Sequence, residues 1–136
     1  MTLSDQPSIN RMKGTDVTTE PTKPDTDEAK APSGAQLMFG EFAPALVGFT
    51  DDVLFGQVWP RTELSPKKRS LVTVAALTTS GNVEQLHYHL RFAVDNGNTE
   101  AELIEAITHL AFYAGWPKAI SAMGVAKQVF TSRSAE

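Results

Sequence analysis

The stretch "GNVEQLHYHLRFAVDNG", residues 81–97, places two of the chain's three histidines two positions apart. An ordinary histidine gains and loses its proton near neutral pH, and the same ring is the commonest metal ligand. His87 and His89 are therefore a metal pair, a proton-transfer pair, or polar groups on a helix surface. The third histidine, His109, follows Glu105 by four residues. At that spacing a carboxylate can hold an imidazole and raise its pKa. Tyr113 and Trp116 extend the same side. This second constellation is either an acid–base group beside an aromatic wall or an interfacial helix face carrying one ion pair.

The backbone around the histidines decides between these uses. Leu86, Leu90 and Ala93 recur at helical spacing, and Gly97 closes the segment, which predicts a helix. Residues two apart on a helix point to nearly opposite sides, so His87 and His89 cannot share one ion. No pair of histidines four apart and no acidic cluster at ligand spacing occurs, and no metal site is expected. His89 borders the apolar stripe alongside Asn82 and Gln85. That position suits a half-buried imidazole in a pocket, or a hydrogen-bonded packing residue. His87 lies three residues after Glu84 and reads as a surface ion pair.

Further helices follow from caps and breakers. Thr50 before Asp51 and Asp52 marks the start of a short helix reaching Val58 or Trp59, where Pro60 stops it. Ser65-Pro66 caps "PKKRSLVTVAALTTSG", whose β-branched content makes a strand the competing assignment; length and the proline start favour helix. Thr99 with Glu102 forms a capping box ahead of Leu103, Ile107, Leu110 and Ala114. Gly115-Trp116-Pro117 breaks that helix, and "PKAISAMGVAKQVF" makes the last one. The expected fold is an all-α, compact bundle of short helices over residues 33–136. Its helices are apolar on more than one side, which favours a homo-oligomer.

Residues 1–32 differ. Pro7, Pro21, Pro24 and Pro32 stand among polar residues, and no aromatic precedes Phe39. Such a segment cannot bury enough apolar surface to offset its ordering entropy, so it reads as a disordered arm or one wrapped on a neighbouring subunit.

Composition narrows function. A length of 136 residues points to one domain, and a net charge of −4 argues against nucleic acid, which needs a clustered basic surface. The absence of cysteine removes disulfides and thiol chemistry. No stretch has signal-peptide or membrane-spanning character, so a cytoplasmic protein without membrane contact is expected.

Three stretches, "FGEFAPALVGFTDDVLFGQVWPRTELSPKKRSLVTVAAL", "EQLHYHLRFAVDNG" and "ITHLAFYAGWPKAISAMGVAKQVF", resemble the carboxymuconolactone decarboxylase family over roughly residues 36–130. The resemblance implies an alkylhydroperoxidase-D-like helical fold assembled as trimers or hexamers. Thiol members of that superfamily carry CxxCxxxH with a glutamate one helix upstream. Anchored on His89, the pattern puts its cysteines on Asn82 and Gln85 and its glutamate on Ser70. A peroxidase is thereby disfavoured, and the cysteine-lacking decarboxylase branch is the natural assignment.

The implied reaction is cofactor-independent loss of CO2 from 4-carboxymuconolactone, giving 3-oxoadipate enol-lactone in aromatic-acid catabolism. Electrons left by the departing carboxylate spread onto the conjugated lactone carbonyl, so no cofactor is needed as a sink. The enzyme must stabilise that oxygen, protonate the dienolate and hold the second carboxylate. His89 and His109, the latter held by Glu105, are expected to share the first two tasks. Arg69 or Arg61 is expected to anchor the carboxylate, with Phe55, Trp59 and Trp116 as pocket walls. Two alternatives use the same scaffold: another cofactor-free reaction on a related lactone or acid, and a non-catalytic oligomer binding a small acid.

Overall fold

In the computed structural model of the chain, residues 31–136 are described, so the arm expected over residues 1–32 falls almost wholly outside them. The Ser65 side chain accepts the backbone N–H of Lys68, and Pro66 fills the first helical position, where no N–H partner is needed. Helix α3 (Pro66–Ser80) starts there and ends at Gly81, whose φ of 75° is the left-handed conformation glycine adopts without strain. The β-branched run is therefore helical. Helix α4 (Val83–Asp95) returns antiparallel, with Leu86, Leu90 and Ala93 fully buried as their spacing predicts.

Thr99 opens α5 (Glu100–Tyr113) by accepting the N–H of Glu102. Only this half of the capping box forms, because the Glu102 carboxylate turns to Lys67 at 3.1 Å. Gly115, at φ 108°, turns the chain into α6 (Trp116–Ser134). Helix α3 packs on α4, α5 on α6, and α6 also lies against α4 and α3. Leu86, Leu90, Leu103, Ile107 and Val74 meet between them, each burial contributing about 1.5–3 kcal/mol relative to exposure. Two side-chain amides fasten α4 to α3: Asn96 donates to the Ser70 hydroxyl at 2.9 Å, and buried Asn98 donates to the Lys67 carbonyl at 3.0 Å.

The N-terminal part departs from expectation. Ser33 and Gln36 form a full capping box that starts α1 (Gly34–Phe39). Pro44 then begins α2 (Pro44–Gly48), which runs without a break into a π-helix (Phe49–Val58). Thr50 is thus no cap. It sits inside a helix that proline has already started, and its hydroxyl donates to the Leu46 carbonyl at 2.7 Å. The acids after it are held otherwise, Asp51 accepting the Ser33 hydroxyl at 2.7 Å. Hydrogen bonds in a π-helix span five residues, as Trp59 N–H to the Leu54 carbonyl does at 2.9 Å. Gly56 permits that turn, since a Cβ there would stand 3.0 Å from the Asp51 carbonyl oxygen.

No strand occurs among the described residues, and no helix of theirs is long and apolar enough to cross a membrane.

Candidate active site

The π-helix and α4 meet through rings. Phe55 and Trp59, four apart, lie nearly parallel with centroids 6.1 Å apart. Trp59 stacks in turn on His89 at 6.1 Å and 19°, and tilts against Phe92 at 4.9 Å. Tyr88 meets His89 edge-on at 5.0 Å and lies over Phe92 at 5.4 Å. One imidazole is thereby held in an aromatic box contributed by two elements. Its Nδ1 is buried without a hydrogen-bond partner. Burial pushes the His89 pKa below the ordinary histidine value, because the rings replace the water that would solvate an imidazolium.

Tyr88 and Phe92 were not among the residues singled out from sequence. The signal was present: Phe55/Trp59 and Tyr88/Phe92 are two aromatic pairs at four-residue spacing, flanking the histidine. Burial, with a smaller push from the Asp95 carboxylate, raises the Tyr88 phenol above its usual range.

Of the two arginines, Arg61 follows the C-terminal end of the π-helix and Arg69 lies on α3. Arg69 donates from Nη2 to the Arg61 carbonyl at 3.2 Å, and its Nε is buried without a partner. It therefore ties α3 to the backbone two residues past Trp59. The Arg61 guanidinium instead faces Glu63 at 3.7 Å, with both side chains largely in solvent.

The remaining expected site residues lie elsewhere. His109 is exposed on α5 and packs on Tyr113 at 4.8 Å. Glu105 shares an open groove of about 560 Å³ with it, lined also by Leu71, Ala101 and Ala106, yet no ion pair joins the two. His109 takes no part in the ring contacts around His89, its aromatic neighbour being Tyr113. Trp116 is 59% exposed and meets Phe112 edge-on, away from Trp59. His87 likewise parts from His89: it is exposed and lines a different cleft, between α4 and α6. The helix divides the pair as the two-residue spacing requires.

The site thus combines stacked aromatic faces with one half-buried imidazole, and Arg69 is fixed to the backbone just past Trp59. The family model described as "Carboxymuconolactone decarboxylase family" matches residues 44–128, which include the π-helix, the box and most of α6. A 4-carboxymuconolactone decarboxylase of Acinetobacter baylyi is 40% identical over 90 residues, 66% of this chain and 67% of that protein. A nitrosuccinic acid decarboxylase of Metarhizium robertsii is 40% identical over 74 residues, covering 54% of this chain and 52% of the relative. An uncharacterized 15.0 kDa protein of Paracoccus denitrificans is 30% identical over 87 residues, 62% of this chain and 65% of its own length. The chain thus spans between half and two thirds of these relatives. With the matched residues running through both elements of the box, the chain belongs to the carboxymuconolactone decarboxylase family.

Proposed function

We propose that the chain is a carboxy-lyase that removes CO2 from a small unsaturated acid without a cofactor, 4-carboxymuconolactone being the substrate of choice. The observation that carries this is His89: an imidazole boxed by Trp59, Tyr88 and Phe92, with a buried, unpartnered nitrogen and a lowered pKa. Both named relatives are decarboxylases, which supports the class and leaves the acid itself to the assay.

The chemistry consumes one proton. The C–C bond to the carboxylate breaks, CO2 leaves, and the electron pair passes to the conjugated carbonyl as a dienolate. Carbon then takes a proton to give the product. Partial burial in the box favours the uncharged form of free His89. A bound anion restores the charge, since a negative group beside an imidazole favours the imidazolium. The proton so acquired is the one delivered to carbon. The aromatic walls also remove water from the reacting carboxylate, which is less well solvated there than in bulk.

Arg69 is the better anchor for a second carboxylate, because its Nε is unpartnered and Arg61 is engaged with Glu63. His109, Glu105 and Trp116 join the reaction only where a second copy presents α5 to the box. Phe112, Tyr113 and Trp116 expose 77%, 79% and 59% of their surface on that side, and this favours a homo-oligomer.

The test is CO2 release and ultraviolet change with freshly generated 4-carboxymuconolactone. His89→Gln should lower kcat by about 10²–10⁴, the usual worth of a positioned proton donor. A folded variant with activity within threefold of the parent refutes His89 as that donor. Turnover by the parent of a nitro-substituted acid, and not of the lactone, would move the substrate to the second relative's class.

A further inference from the structure

Beside the His89 box, across Tyr88, α4 and α6 line a cleft of about 490 Å³. His87, Tyr88 and Arg91 line it from α4, and Gln128, Val129 and Ser132 from α6. Five of these six side chains carry a hydrogen-bond donor, and among the described residues no acid lines the cleft. Arg91 already carries a carboxylate at the rim: its Nη2 lies 2.9 Å from Glu136 Oε1, the shortest ion pair among the described residues. The Glu136 side chain is 71% exposed, so this carboxylate is easily displaced from the guanidinium.

We propose that the α4/α6 cleft is a second binding site, for a small carboxylic acid whose carboxylate takes the place of Glu136 on Arg91. Gln128 and Ser132 supply further donors, and Val129 with the Tyr88 ring receives the ligand's carbon skeleton. The site is separate from the His89 box, because Tyr88 stands between them with its ring 5.0 Å from the imidazole. Tyr88 belongs to both, so an acid in the cleft presses on the ring that holds His89. The acid is thereby sensed at the imidazole without reaching it. This rests only on the cleft and its contacts, and holds whether or not His89 is the proton donor.

Succinate is the probe, titrated into the full-length protein and followed by amide chemical shifts in nuclear magnetic resonance, with dimethyl succinate as the uncharged control. Saturable shifts at Arg91, Gln128 and Ser132 are expected with succinate and not with the ester. Glu136→Gln removes the internal competitor and should tighten binding about two- to fivefold, the worth of an exposed ion pair. Arg91→Ala should abolish the shifts, while His89→Gln should keep them. Loss of succinate binding in His89→Gln with retention in Arg91→Ala places the acid in the box and overturns the proposal. Unchanged affinity in Glu136→Gln overturns the displacement step. Equal shifts from the ester overturn a carboxylate site.

Discussion

Replacing Trp59 by alanine should both loosen the π-helix and rehydrate His89. Trp59 makes three ring contacts, with Phe55, His89 and Phe92. Aromatic pairs are worth about 0.5–1.5 kcal/mol each, so the sum is roughly 1.5–4.5 kcal/mol. The box is partly open to solvent, which puts the loss near the lower half, about 2 kcal/mol. For a domain of this size that lowers Tm by roughly 10 °C. The same change admits water over the imidazole, and burial is the cause of its lowered pKa. The His89 pKa should therefore climb back toward about 6.5, the ordinary value. Thermal circular dichroism reads the first effect, and a proton titration of the histidine ring resonances reads the second. Trp59→Phe, which keeps a ring against His89, should show less of both. If Trp59→Ala melts within about 2 °C of the parent and the His89 titration does not move, the stack neither holds the π-helix nor dries the imidazole.

Burial of His89 also makes stability depend on pH. Its folded pKa lies below the unfolded value, so the unfolded state binds the extra proton first, and stability falls as pH drops below about 6.5. Urea midpoints between pH 8 and 5 should show that slope in the parent and a shallower one in His89→Gln. Thr78 is fully buried in α3 with its hydroxyl unpartnered, so Thr78→Val should raise stability by about 1 kcal/mol in the same urea assay. Ser65→Ala removes the side-chain acceptor of the Lys68 N–H, and should cost about 1 kcal/mol.

Much of the bundle was legible because its signals are local. A Ser-Pro cap, a glycine in the left-handed region and a stripe at helical spacing act over one turn of chain, and α3, α4 and α5 obey them. The π-helix was not legible for the same reason. Thr50-Asp51-Asp52 carries the composition of a helix start, but Pro44 starts the helix six residues earlier, and Ser33, eighteen residues away, takes the Asp51 carboxylate. His89 was recognisable by its place on the edge of an apolar stripe, while the pairing of Glu105 with His109 fails on side-chain placement. A four-residue spacing brings two side chains within reach of each other but does not oblige them to bond. Both of these are exposed, where water satisfies each group separately and an ion pair is worth little. Partners from other elements, such as Trp59 on His89, leave no mark on local spacing.

The histidine spacing that rules out a shared metal is also what gives α4 its breadth of use. Its apolar stripe of Leu86, Leu90 and Ala93 faces the core and leaves the rest of the circumference free. His89 turns toward the π-helix, where rings exclude water and its pKa falls. His87 and Arg91, one turn apart, turn toward α6, where the cleft is lined with donors. Tyr88 sits between these sectors and touches both, so no third element is needed to connect them. A strand would have put both histidines on one face and Tyr88 on the other. The helical period is therefore the feature that lets one segment carry a half-buried imidazole and a charged cleft side by side, with a single ring as the wall between them.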